Sequence, residues 1–235
     1  MKSIYSIQNY LSGACFKDAD IKKGIVTGYF ANFNNIDSDG DIILPGAFKK
    51  SISDTGPNST NPRIKHLLNH NPEQPLGKIL VLQEDAKGLY YESQVGSHSL
   101  GKDFLKMVES DLINEHSIGF RKIESEKSED KTANYLKQLQ LWEGSSLTAW
   151  GANELTPLTG LKSGFDVDTL MKKQKRIEAF CKNSDATDET IEMLLLHSKQ
   201  LSQIILDMQS TEQGKATLQG KDLIEALTTF NKNLI

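Results

Sequence analysis

The sequence predicts a β-rich α+β fold: an antiparallel β-barrel with inserted helices over residues 1–155, a linker over 156–168, and a helical C-terminal appendage over 169–235. Three observations predict it. Between about residues 20 and 155, short runs of β-branched and aromatic residues alternate with clusters of Gly, Asn, Asp and Pro, the pattern of short strands joined by turns. The stretch ELTPLTGLKSGFD is then interrupted by Pro157, Gly160 and Gly164, which resist regular structure. Beyond about residue 167 proline disappears, aromatics become few, and apolar residues recur at helical spacing.

The elements follow in chain order. GIVTGYFANF (Gly24–Phe33) is a strand ended by Asn, Asp and Gly punctuation. Pro45 opens PGAFKKSI, a short helical turn with proline in its favoured first position. RIKHLLNH is a strand stopped by NPEQPLG. KILVLQED and GLYYESQV pair as a hairpin around Asp85–Gly88. Leu100, Phe104, Met107 and Val108 lie at helical spacing behind Ser99, an N-cap type. INEHSIGFRKIES, NYLKQLQLWE and SSLTAWGA return to strand patterns. In the tail, Ile191, Leu194, Leu195, Leu201, Ile204, Ile205 and Met208 form one stripe after a Thr187–Asp188–Glu189 start, and a last helix is expected from about Lys221 to Asn233. Leu194, Leu201 and Met208 are seven apart, which permits coiled-coil pairing, but two heptads fit a plain amphipathic helix better.

Composition narrows the function. A formal net charge of −4 gives no broad basic surface for nucleic acid. Two cysteines, Cys15 and Cys181, provide neither a disulfide framework nor zinc-ligand spacing. The start, MKSIYSIQNYLSGACF, holds no continuous apolar segment, so no signal peptide and no membrane span is expected, and the protein reads as cytoplasmic. Asp37, Asp39 and Asp41 in NNIDSDGD suggest a calcium loop, but Gly40 interrupts the ligand pattern and no glutamate follows at the required place. A tight turn between strands is the better expectation.

The chemistry centres on EHSIGFRK, where Ser117 follows a histidine. A serine hydroxyl needs a base to attack at neutral pH. Of the five histidines, His116 faces the opposite side of a strand from Ser117, His98 opens a helix and His197 lies in the tail. His66 and His70 remain, both at the same strand parity, with His70 beside a proline-punctuated loop. Periodicity alone does not choose between them, and leaves open that all three residues are merely structural.

Four blocks, in order, resemble the tailed-phage prohead (capsid maturation) serine protease family, whose fold is similar to that of the herpesvirus maturation protease, assemblin. GYFANFNNIDSDGDIILPGAF (Gly28–Phe48) resembles the opening block, and LLNHNPEQPLGK (Leu67–Lys78) the histidine block, with the histidine on His70. HSIGF (His116–Phe120) resembles the serine block, with the nucleophile on Ser117, and LWEGSSLTAWGAN (Leu141–Asn153) the last block, with its acidic residue on Glu143. Two departures stand out: Asn69 where an aromatic residue is common, and Gly151 where a proline is usual.

The resemblance implies an assemblin-like barrel and a catalytic set of His70, Ser117 and Glu143, the last in the place where assemblins carry a second histidine. Arg121 shares the parity of Ser117 and is a candidate for the oxyanion or substrate, with backbone N–H groups the default donors. No metal and no organic cofactor are implied. Implied substrates are the capsid scaffold, the major capsid protein's scaffolding segment and the protease itself, cut inside the assembling prohead in the bacterial host's cytoplasm. The barrel or tail helices offer surfaces for a homodimer or higher oligomer. Self-cleavage is expected between about Leu155 and Leu170. The competing expectation is a non-enzymatic scaffold or assembly protein on a protease-like barrel, in which Ser117 and His70 would lie far apart.

Overall fold

The strands come first, because their order places every residue of interest. In the computed structural model, residues 16–20, 23–37, 40–113, 115–129, 133–148 and 167–210 are described, the side chains of 16–20 and 207–210 excepted. Eight strands are β1 (Phe16–Asp20), β2 (Ile25–Asn32), β3 (Asp41–Ile43), β4 (Lys65–Leu68), β5 (Asn71–Glu84), β6 (Gly88–Val95), β7 (Glu115–Lys127) and β8 (Asn134–Leu147). They form one sheet with path β1-β2-β6-β5-β4-β8-β3, and β7 pairs with β8. Four helices are described: α1 (Lys49–Thr55), α2 (Ser99–Glu109), α3 (Val167–Asn183) and α4 (Asp188–Ser210). The β-rich α+β class expected from sequence is therefore the observed one.

The sheet is mixed rather than antiparallel. Both β3 and β4 run parallel to β8, one beside each half of it, while β7 runs antiparallel along its other edge. Parallel partners need long crossover connections, which local pattern does not announce. The sheet also curls. β2 and β7 are five strand steps apart, roughly 24 Å if the sheet were flat. Yet Phe30 of β2 and His116 of β7 have ring centroids 5.8 Å apart. The result is a half-barrel with its aromatic core inside.

That core is built from Phe30, Tyr91, His66, His116 and Phe104. Phe30 and Tyr91 stack at 3.8 Å, and His66 meets both rings edge-on at 5.2 Å. Fully buried rings of this size each stabilise by about 2–3 kcal/mol through burial alone. Gly144 of β8 permits the stack, because a Cβ there would lie 2.4 Å from the Phe30 ring.

Turn chemistry explains the connections. Asp85 closes the β5–β6 hairpin as expected: its N–H reaches the Gly88 carbonyl, and its carboxylate accepts from the Lys87 and Gly88 N–H groups. The Pro-Gly-Ala-Phe turn is held from across the sheet, where the Glu84 carboxylate accepts from the Gly46 and Phe48 N–H groups at 2.8 and 2.7 Å. In the Asp37–Asp41 segment, Asp41 N–H donates to the Asp37 carboxylate. The Asp41 carboxylate pairs with Lys122 at 2.6 Å and accepts from Asn134, which pins the turn to β7 and β8.

The chain divides into two compact units, Met1–Leu105 with Ile113–Thr159, and Lys106–Leu112 with Gly160–Ile235. In the second, α3 and α4 form a hairpin that buries Leu170, Ile177 and Phe180 with Leu194, Leu201 and Ile205, and Gln174 donates to Ser202 at 2.6 Å. The heptad residues Leu194 and Leu201 are thus buried, whereas Leu195, assigned to the same stripe from sequence, is 44% exposed. Leu170 sits inside α3. The expected linker and last helix fall almost wholly outside the described residues.

Candidate active site

The site grows from one ladder. In the β7–β8 register Ser117 lies opposite Ser145, and Gly119 opposite Glu143. Directly paired residues share a face, as do residues two apart on a strand. Ser117, Gly119, Glu143 and Ser145 therefore lie on one face, opposite the one carrying Gly144, Ser146 and His116. A β-bulge sets this arrangement: Phe120 pairs with Leu141, so Trp142 is the extra residue. Leu139 and Leu141 are buried and Gln140 is exposed. Simple alternation would turn Glu143 to the side of the leucines; the bulge instead puts Trp142 and Glu143 on the same side, with Glu143 still buried. Trp142 is 54% exposed. Gly119 makes room for the carboxylate, since a Cβ there would come within 2.3 Å of Glu143 Oε1.

His70 arrives from the side. It lies in a two-residue turn between β4 and β5, not on a strand as its sequence context suggested. Leu68 and Asn71 pair across the turn, and Asn69 and His70 have φ of 53° and 60°. Two consecutive positive φ values are those of a type I′ hairpin turn, where Asn-Gly is the usual pair. A non-glycine residue held there costs about 1–2 kcal/mol. Local hydrogen bonds offset this. Asn69 N–H donates to the Ser146 carbonyl at 3.0 Å, and Asn69 Oδ1 accepts from the N–H and hydroxyl of Thr148 at 2.9 and 3.1 Å. His70 N–H donates to Ser145 Oγ at 3.1 Å.

The ring of His70 meets Glu143, with Nδ1 2.6 Å from Oε1. A carboxylate only accepts, so Nδ1 carries the proton and Nε2 presents its lone pair. The other carboxylate oxygen accepts from Ser145 Oγ at 2.5 Å. The His70 side chain is 41% exposed and that of Glu143 11%. Ser117 is half-buried and one strand spacing from Ser145. Among the described residues, no hydrogen bond joins Ser117 Oγ to His70.

The other histidines are used differently. His66 and His116 are fully buried on the core face, where Nε2 of His66 pairs with Ser146 Oγ at 3.0 Å and Nε2 of His116 with the Tyr91 hydroxyl at 2.7 Å. Burial pushes His66 down to about 3; it also holds His116 well below the usual histidine range, with the neighbouring His66 adding to the effect. His98 Nε2 meets the Pro75 carbonyl. On α4, burial and then Lys173 lower His197 to about 4.

Arg121 is exposed, four residues along β7 from Ser117, or about 13 Å by strand rise. It lines a shallow groove with Lys50, Asp54, Ile123 and Gln140. Sequence reasoning missed Ser145, Gly119 and the Asn69–Thr148 clasp. Each depends on pairing between distant segments, and no local signal marks it.

The description of caudovirus prohead serine proteases fits this chain over residues 16–173, more than half its length. The chain belongs to that family. Over 153 residues it is 35% identical to the prohead protease of Enterobacteria phage HK97, covering 64% of this chain and 66% of that protein. Over 129 residues it is 32% identical to the prohead protease of Escherichia phage T5, covering 54% of this chain and 60% of that protein. The chain thus matches slightly less than two thirds of the length of these curated relatives. Among solved structures, the bacteriophage T4 capsid assembly protease aligns with a TM-score of 0.40 at 12% identity, over 52% of this chain and 80% of that one.

Proposed function

We propose that this chain is a serine endopeptidase that processes scaffold and capsid protein during phage prohead maturation, with Ser117 as nucleophile, His70 as base and Glu143 as the group that orients the histidine. The observation that carries the reading is the His70–Glu143 pair, which leaves Nε2 as an acceptor beside the face that bears Ser117. Membership of the prohead protease family supports the same assignment.

The chemistry follows from the proton positions. As substrate enters, Ser117 Oγ attacks the scissile carbonyl and His70 Nε2 takes its proton. Glu143 holds Nδ1–H and stabilises the imidazolium. His70 then returns the proton to the departing amine, and water enters to release the acyl group from Ser117 by the same exchange in reverse. The gap between Ser117 and His70 closes with substrate, as such contacts often tighten only in the complex. Backbone N–H groups supply the oxyanion donors. Arg121, in its groove with Lys50 and Asp54, contacts a more distant part of the substrate.

The reaction takes place inside the assembling prohead in the host cytoplasm. The tail helices dock to scaffold and carry the protease in by raising its effective concentration. The enzyme trims itself ahead of α3, in the segment joining it to β8. Co-expression with a phage scaffold and major capsid protein tests the reading: wild type yields shortened scaffold or capsid products by mass spectrometry, and Ser117→Ala yields none and stays at full length. Equal processing by both chains overturns it.

A further inference from the structure

Resting on that protease reading, we infer that Ser145 is a positioning residue that locks the base and its carboxylate into one unit. Its hydroxyl stands between the two groups the chemistry needs aligned. It donates to Glu143 Oε2 at 2.5 Å and accepts the backbone N–H of His70 at 3.1 Å. Neither direction is free to reverse, because a carboxylate only accepts and an N–H only donates. One hydroxyl has one proton and two lone pairs, so its proton is committed to Glu143 while a lone pair holds the His70 N–H. It also lies opposite Ser117 in the ladder, so the same side chain sits between the nucleophile's strand and the histidine turn.

Ser145 is not an alternative nucleophile. It is fully buried, and its proton points at Glu143 rather than at an imidazole nitrogen. Its role is to fix two degrees of freedom. The carboxylate cannot rotate away from Nδ1 while Oε2 is held, and the left-handed His70 backbone cannot relax while its N–H is held. Losing the hydroxyl leaves both motions open, and small displacements of catalytic groups cost about 10²-fold in rate.

Two readouts test this. The first is the rate at which a fluorophosphonate probe labels Ser117, followed by intact mass. The second is the Nδ1–H resonance of His70 in protein labelled with ¹⁵N-histidine, assigned by its absence in His70→Gln. Ser145→Ala should label about 10–100-fold more slowly and should lose or shift the His70 Nδ1–H signal. Ser145→Thr, which keeps the hydroxyl, should restore most of both. A wild-type labelling rate in folded Ser145→Ala, or an unmoved resonance, overturns the role. If the alanine variant does not fold, Ser145→Cys keeps the volume with a much weaker donor, and wild-type behaviour of that variant in either assay overturns the role. If wild type itself does not label at Ser117, the protease reading fails, and the resonance still decides whether Ser145 holds the His70–Glu143 pair.

Discussion

Strand β8 carries a serine–histidine arrangement on each of its faces. On one, His70 reaches Glu143 and Ser145 opposite Ser117; on the other, His66 pairs with Ser146 at 3.0 Å beside His116. By distance alone the inner pair is the better-formed serine–histidine hydrogen bond. Yet its histidine is fully buried, held neutral by burial, and packed against Phe30, Tyr91 and Phe104. The outer arrangement has a carboxylate and an exposed ring edge. A hydrogen bond between serine and histidine is therefore weak grounds for catalysis; a carboxylate that fixes the tautomer and a path for substrate are what separate the faces.

The largest test of this contrast is serine against serine. Ser117→Ala should reduce cleavage by about 10⁴-fold or more at unchanged stability. Ser146→Ala should keep cleavage within tenfold and cost about 1–2 kcal/mol in chemical denaturation, because it strips a buried His66 of its partner. Abolished cleavage in folded Ser146→Ala would move the site to the inner face.

Next come the carboxylate and the space made for it. Glu143→Gln should lower kcat by about 10²–10⁴-fold, leaving more residual activity than Ser117→Ala. Gly119→Ala should cost about 10–100-fold by displacing the same carboxylate, since its Cβ would meet Oε1 at 2.3 Å. Full activity in Gly119→Ala would show that Glu143 need not hold its position.

Gly144→Ala is the inner counterpart, one residue along the same strand. Its Cβ would collide with the Phe30 ring at 2.4 Å, and overpacking of this kind costs about 1–3 kcal/mol. Its activity should fall only in step with its folded fraction. Activity lost from protein that melts like wild type would mean the two faces are not independent.

The last test is in pH, and it reads stability rather than cleavage. His66 and His116 have folded-state values depressed by burial, so the unfolded chain binds more protons once pH drops below about 6.5. Their contribution is complete above that pH and is lost as pH falls toward about 3, the folded value of His66. Each group steepens the loss by about 1.4 kcal/mol per pH unit within its window. His66→Gln should flatten the stability–pH curve measured by urea unfolding between pH 6 and 4; an unchanged slope would mean His66 is already charged in the fold.

Much of this architecture was legible beforehand. The β5–β6 hairpin announced itself through Asp85 and Gly88, and α2 and α4 through apolar spacing behind Ser99 and Thr187. The parallel pairing of β4 with β8 was not, since Lys65 and Glu143 meet only after long crossovers. His70 looked like a strand residue because Asn69-His70 lacks the glycine that usually marks a type I′ turn; the Thr148 clasp that stabilises the turn is 79 residues away. Alternation from Leu139 and Leu141 would point Glu143 toward the core, because the bulge at Trp142 leaves no local mark, and only the family-like block singled that residue out. The roles proposed for His70, Ser117 and Glu143 came from that likeness, not from spacing.

The unpaired Trp142 gives β8 something close to a reading frame. Residues before it and after it assign inside and outside in opposite phase, and one extra residue is the shift between them. Removing Trp142 would let the two phases run on without a break: Leu141 would stay inside, Glu143 outside, and Gly144 against the Phe30 ring it admits. Losing Trp142 would therefore drop one letter and leave the frame intact, whereas losing a residue beyond the bulge, from Gly144 onward, would misread every side chain from there to Leu147.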